Sequence, residues 1–228
     1  MRYIFVTVFV LLAFGGSARS QTSTDCAVRG ATMPSIPMCT KLIDSAMLRG
    51  HDLAVALNAR GQAYAAAGQY DLAIADYTRA IQMDSRFAEL YVNRALAEVP
   101  AKAYEAAISD SNTALRIDPT FGLAYLSRAF AYNGSENYDA AIGDYTTLLD
   151  SNPNNVPFRV NRGSVYFAKD DYRSAIMDYT EALSHDPYSA IVYRERGTAE
   201  FALRNFSNAI RDFSASAALE RSDAYTML

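Results

Sequence analysis

The sequence predicts an all-α protein, a solenoid of antiparallel helix hairpins, and three observations carry that prediction. The first is a period: the same residue types return every 34 residues with no insertion or deletion, in registers that begin at Ala54, Ala88, Gly122, Val156 and Ala190. The second is that each copy holds two stretches with apolar residues at helical spacing, separated by a short break. The third is composition. Half of the 228 residues are hydrophobic, and there are only 7 prolines and 11 glycines, which suits a packed chain rather than a disordered one. A repeat of this length marks stacked units, none of which buries its apolar face alone.

Taken in order, the chain opens differently from its body. Met1-Arg2 is short and positive, residues 3–14 are apolar but for Thr7, and Gly15, Gly16, Ser17, Ala18 and Ser20 supply small residues. This pattern predicts a secretory signal peptide over residues 1–20, cut near Ser20, and the apolar run is too short to span a bilayer. The expected location is therefore periplasmic or secreted, with no stable membrane span after cleavage. Residues 21–53 form an N-terminal cap. It contains the chain's two cysteines, Cys26 and Cys39. An even count in an exported chain points to a disulfide between them, with two free thiols as the alternative. Residues 35–43 match residues 73–81 of the first full copy, so residues 37–48 read as a lone second helix covering the open side of the first hairpin.

The five copies are 54–87, 88–121, 122–155, 156–189 and 190–221. Tyr70, Tyr104, Tyr138, Tyr172 and Phe206 are in phase, and so are Ala73, Ala107, Ala141, Ala175 and Ala209, each followed by isoleucine. Small residues at Gly61, Ala95, Ala129, Gly163 and Gly197 let the first helix approach the second. Tyr77, Tyr145, Tyr179 and Phe213 fill the space between hairpins. Asp118-Pro119, Asn152-Pro153 and Asp186-Pro187 end second helices, because proline cannot continue the ladder and restricts the residue before it. Copy two departs: Glu98 stands where Tyr64, Tyr132 and Tyr166 do, Pro100 should shorten its first helix, and Ser111 replaces the aromatic. Copy five carries Glu200 and Ser216. Residues 222–228 read as a tail that starts a further helix register.

Over residues 54–221 these positions resemble the tetratricopeptide repeat family, most fully in copy four with Gly163, Tyr166, Ala175, Tyr179, Ala182 and Pro187. The family's leucine before the small residue is arginine in every copy. The resemblance implies a right-handed α-solenoid with the first helices lining a concave groove. Carried over, the partner-binding groove includes Asn58 and Gln62, then Val92, Asn93 and Leu96, then Leu126 and Phe130. Val160, Asn161 and Ser164 follow from copy four, and Arg194 and Thr198 from copy five. Ala59, Ser127 and Glu195 share these registers, and Phe167 and Phe201 extend the wall. The basic clamp for a terminal carboxylate that some members use is absent, so an extended or helical segment with apolar anchors is the expected ligand.

Arg60, Arg94, Arg128, Arg162 and Arg196 are matched sixteen residues on by Asp76, Asp110, Asp144, Asp178 and Asp212. Since an aspartate accompanies every arginine, the pattern reads as a structural ion-pair ladder rather than a row gripping an acidic ligand. Catalytic residues are scarce. His51 and His185 are the only histidines, neither at metal-ligand spacing, and no phosphate loop or nucleophile motif occurs. No metal and no cofactor are expected, and no enzyme. The net charge of -4 argues against nucleic acid. The functional expectation is a scaffold for a protein or peptide partner. The alternative is an assembly protein that forms a homo-oligomer through its uncapped C-terminal hairpin.

Overall fold

The structure, a computed structural model, describes residues 35–226 and is helical throughout that range. The signal peptide over 1–20, Cys26 and the first part of the cap lie outside the described residues. The elements are α1 (Ile36–Asp44), α2 (Gly50–Ala66), α3 (Tyr70–Met83), α4 (Ala88–Glu98), α5 (Tyr104–Ile117), α6 (Gly122–Gly134), α7 (Tyr138–Ser151), α8 (Val156–Ala168), α9 (Tyr172–His185), α10 (Ala190–Ala202) and α11 (Phe206–Thr226). Each even-numbered helix packs on the odd-numbered helices before and after it. Successive even-numbered helices also touch, as α2 with α4 and α4 with α6. That contact places the first helices on the inside of the stack, in an α-solenoid.

Two small devices make every hairpin. Between first and second helix, Gly68, Lys102, Glu136, Asp170 and Arg204 occupy one register and all adopt the left-handed conformation, with φ from 59° to 73°. The amide of the next residue then donates five residues back, as Gln69 N to Tyr64 O at 2.9 Å and Asn205 N to Glu200 O at 2.9 Å. This closure satisfies helix-end carbonyls, and glycine suits it best. Only copy one has glycine there, so four turns accept the cost of a side chain in that region. Between copies an aspartate side chain receives a backbone amide two residues on: Arg86 N to Asp84, and Thr120 N to Asp118. Copy one lacks the proline yet stops at Met83, so this turn suffices alone.

Three departures from the sequence expectations have local causes. α1 ends at Asp44 rather than running to residue 48, because Ala46 turns left-handed at φ 55° and Leu48 is drawn into the core. α2 begins at Gly50, ahead of the repeat register at Ala54. α11 continues unbroken to Thr226, with no turn where a further register would begin. In copy two α4 stops at Glu98, shortened ahead of Pro100.

The core is a series of layers between helices. Tyr77 lies against Gly61, where an added Cβ would come within 2.6 Å of the ring; Tyr179 on Gly163 (2.8 Å) and Phe213 on Gly197 (3.0 Å) repeat the contact. In copy two the ring is missing, and buried Ser111 instead bonds Ser127 of the next copy at 2.8 Å and the carbonyl of Ala107 at 2.8 Å.

Candidate functional site

The arginines occur midway along the first helices, and each spends its guanidinium on the scaffold. Arg60 donates through Nε and Nη2 to the two oxygens of Asp76, both at 2.7 Å. Arg94 holds Asp110 at 2.6 and 2.8 Å, Arg128 holds Asp144 at 2.8 and 2.6 Å, Arg162 holds Asp178 at 2.8 Å twice, and Arg196 holds Asp212 at 2.8 and 2.7 Å. The hydrogen bond to its aspartate raises each arginine's pKa, against a smaller opposing effect of burial. All five aspartates are buried, so the ladder lies inside the hairpins with the fork closed on its own partner.

Sequence reasoning missed a third bond. Nη1 of each arginine reaches back to the preceding copy: Arg94 to Thr78 (2.9 Å), Arg128 to Asn112 (2.6 Å), Arg162 to Thr146 (3.1 Å) and Arg196 to Thr180 (3.2 Å). Arg60 reaches Thr40 on α1 at 3.1 Å, so the cap helix occupies the position of a preceding second helix. The ladder thus ties hairpin to hairpin as well as helix to helix. The signal was legible, since every copy has threonine, asparagine or serine at that register.

The first helices bury the side that faces their second helices and leave the opposite side uncovered. Of the groove residues expected from the sequence, Val92 and Asn58 must be corrected. Val92 is buried with Ala114 and Ala124, and Asn58 is buried too; Ala59 and Ser127 on the neighbouring register are likewise inside. Asn58 and Val92 pack against the next first helix, Ala59 clusters with the cap and Ser127 faces Ser111 on the preceding second helix, which removes them from a ligand's reach. Asn58 donates to Glu89 at 3.2 Å and accepts from Asn93 at 2.8 Å, and Gln62 donates to Glu89 at 3.4 Å. The polar residues of copies one and two therefore bind one another. Leu96, Leu126, Phe130, Val160 and Asn161 are half-buried, while Ser164, Arg194 and Thr198 are exposed. The hydroxyls of Ser164 and Thr198 donate to the carbonyls of Val160 and Arg194 in their own helices.

A further row was missed. Leu123, Pro157 and Ile191 stand at the second position of their first helices, seven residues before Phe130, Ser164 and Thr198, and so on the same face. Leu123 is 49% exposed and Ile191 58%. The period of seven would have found them. The open face carries Leu123, Leu126, Phe130, Val160 and Ile191 beside polar Ser164, Arg194 and Thr198 in copies three to five, and is amide-lined in copies one and two.

Copy two also contains the one strongly perturbed carboxylate among the described residues. Glu98 is buried, 3.9 Å from Arg94 Nε, and its Oε2 has no hydrogen-bond partner. Burial, with some repulsion from Asp110, pushes its pKa up to about 7 against the pull of Arg94. Its counterpart Glu200 is satisfied by Asn205 at 2.7 Å and Asn208 at 3.2 Å. Among the described residues no group of three His, Cys, Asp or Glu side chains is placed to hold a metal, and no helix is long and apolar enough to cross a membrane. His51 pairs with Asp84 at 2.7 Å and His185 lies 3.4 Å from Glu181.

A stack of hairpins with an uncovered inner face defines a helical-repeat protein-interaction scaffold. The tetratricopeptide repeat profile matches residues 54–87, and a second profile of the same repeat matches 126–190 and 160–225. The chain belongs to the tetratricopeptide repeat family. The stretch between the matches, residues 88–125, holds all of copy two, with Glu98, Pro100 and Ser111. No curated protein matches the sequence. Among solved structures, a crystal structure of MamA is 21% identical with a TM-score of 0.65, over 72% of this chain and 96% of that one. MamA from residue 41 of Desulfovibrio magneticus RS-1 is 16% identical with a TM-score of 0.68, over 75% and 97%. Another MamA crystal structure is 20% identical with a TM-score of 0.66, over 78% and 97%. At these identities the likeness is one of fold.

Proposed function

We propose that the chain is a non-enzymatic scaffold, outside the cytoplasm, that holds one extended or helical segment of a partner protein against the inner face of its first helices. The observation that carries the reading is the uncovered apolar row of Leu123 and Ile191, flanked by half-buried Leu126, Phe130 and Val160. An apolar face of this kind suits a segment that offers apolar side chains at helical or extended spacing. The arginines are engaged with their aspartates, so recognition of an acidic ligand by them has no support. The signal-like residues 1–20 and the Cys26–Cys39 pair support a periplasmic or secreted location, with the disulfide tethering the cap; Cys39 is fully buried on α1.

The test is copurification of the tagged protein from native extracts of its source, read by mass spectrometry, beside the variant Leu123→Glu/Ile191→Glu. Both changes are on the surface and should alter stability by no more than about 0.5 kcal/mol each. The expected result is a partner held by the wild type and lost by the variant at unchanged helicity. A partner retained by the variant would remove the groove from the reading.

A further inference from the structure

One carboxylate on the inner face stands without a counter-charge. Glu89 lies on α4 in the row that continues as Leu123, Pro157 and Ile191 on the later first helices. Its Oε1 accepts from Asn58 Nδ2 at 3.2 Å and from Gln62 Nε2 at 3.4 Å, and Asn58 Oδ1 accepts in turn from Asn93 Nδ2 at 2.8 Å. These three amides are uncharged, so they aim the carboxylate without neutralising it. Glu89 is half-buried, and its Oε2 accepts no hydrogen bond from the described residues and is still reached by solvent. No described lysine, arginine or histidine pairs with it. The charges at the far end of the same face are matched: Arg194 lies 3.9 Å from Glu195 and 3.5 Å from Glu220. The face therefore runs from an uncompensated negative site in copies one and two to the apolar row of Leu123 and Ile191.

We propose that the groove selects a protein segment with a lysine or arginine set against Glu89 and apolar side chains set against Leu123 and Ile191. The inference rests on the groove reading above and names the chemistry of the ligand. Charge complementarity carries it. An acidic segment would meet like charge at Glu89. A wholly apolar one would cover Oε2 and leave a desolvated charge unpaired. A cation on the segment removes both costs, and the amides of Asn58 and Gln62 already hold the carboxylate in place, so little side-chain freedom is lost on binding. Spacing follows from the stack. Successive first helices touch, which sets matching positions about 8–10 Å apart. At about 3.3 Å per residue, the basic residue of an extended ligand falls about three residues from the side chain at Leu123 and about nine from the one at Ile191. In a helical ligand, at about 1.5 Å per residue, the first of these separations is about six.

The probe is a random dodecapeptide library displayed on phage, selected on the immobilised full chain and, in parallel, on Glu89→Gln and on Leu123→Glu/Ile191→Glu. Wild type should enrich peptides with a lysine or arginine at a fixed spacing from apolar residues. Glu89→Gln should lose the basic residue from the motif, and the double variant should lose the apolar ones. A synthetic peptide with the enriched motif is then titrated by fluorescence anisotropy. Glu89→Gln should weaken it at least about tenfold, and so should replacing the peptide's basic residue with glutamine on wild-type protein, a change that leaves the fold untouched. The two changes together should cost no more than either alone. Added salt should weaken the wild-type complex more than that of Glu89→Gln. Apolar motifs without a basic residue, acidic motifs, or the same motif on Glu89→Gln would overturn this inference and leave the groove reading standing. No motif, or one retained by Leu123→Glu/Ile191→Glu, would overturn both.

Discussion

Replacing Glu98 with glutamine keeps its shape and removes one ionisation from the interior of copy two. The carboxyl has an ordinary value of 4.5 and is pushed up to about 7 by burial first and by Asp110 second. Below about pH 4.5 the group is protonated in the folded and unfolded chain alike, and it costs nothing. Between 4.5 and 7 the unfolded chain gives up the proton first, so stability falls as pH rises. Above about 7 the folded protein bears the full cost of the buried charge. At about 1.4 kcal/mol for each tenfold change in proton affinity, that cost has a ceiling of roughly 3 kcal/mol. Urea denaturation followed by circular dichroism, on wild type and Glu98→Gln from pH 4 to 8, measures it. The stability of the variant relative to wild type should be near zero at the acid end and grow by about 1–3 kcal/mol toward pH 8. Taking the difference cancels the other titrating groups, including Asp84, whose value is lowered by His51. A difference that stays flat with pH, or grows toward acid, would show that Glu98 ionises as it does in water and would refute the reasoning.

Breaking the ladder on one side should be severe: Arg128→Ala leaves buried Asp144 unpaired and frees Asn112, so a loss of about 3–5 kcal/mol is expected in urea midpoints. Arg128→Lys should recover only part of it, because a single ammonium cannot reproduce the fork. Gly163→Ala puts a Cβ 2.8 Å from Tyr179 and should cost about 1–3 kcal/mol in thermal unfolding. Gly143→Ala, in the same assay, meets nothing within 4 Å at an exposed position of α7 and should gain about 0.5–1 kcal/mol.

The period alone determined the architecture. A 34-residue repeat with two helical stretches, small residues opposite rings and prolines after acidic or amide residues leaves few packings open, because each residue class constrains a local event: a close approach, a turn, a stop. The Arg–Asp spacing was equally legible, and so was the early stop at Pro100. What the sequence could not fix was burial within a register. Val92 and Asn58 share their position with Leu126 and Val160, yet they are inside while the others are half-open. The difference comes from how closely neighbouring first helices approach, and that is set by the side chains of two copies at once. The polar register of Thr40, Thr78, Asn112, Thr146 and Thr180 was visible as a repeat, but its bond was not, since each serves the arginine of the following copy. Glu98 reads on the page as a polar substitution for tyrosine; only the enclosing helices, by keeping water from it, turn it into a carboxyl that titrates near neutrality. Periodic signals report contacts made within one repeat, whereas exposure and proton affinity depend on the sum of neighbours from several, and only the folded stack supplies that sum.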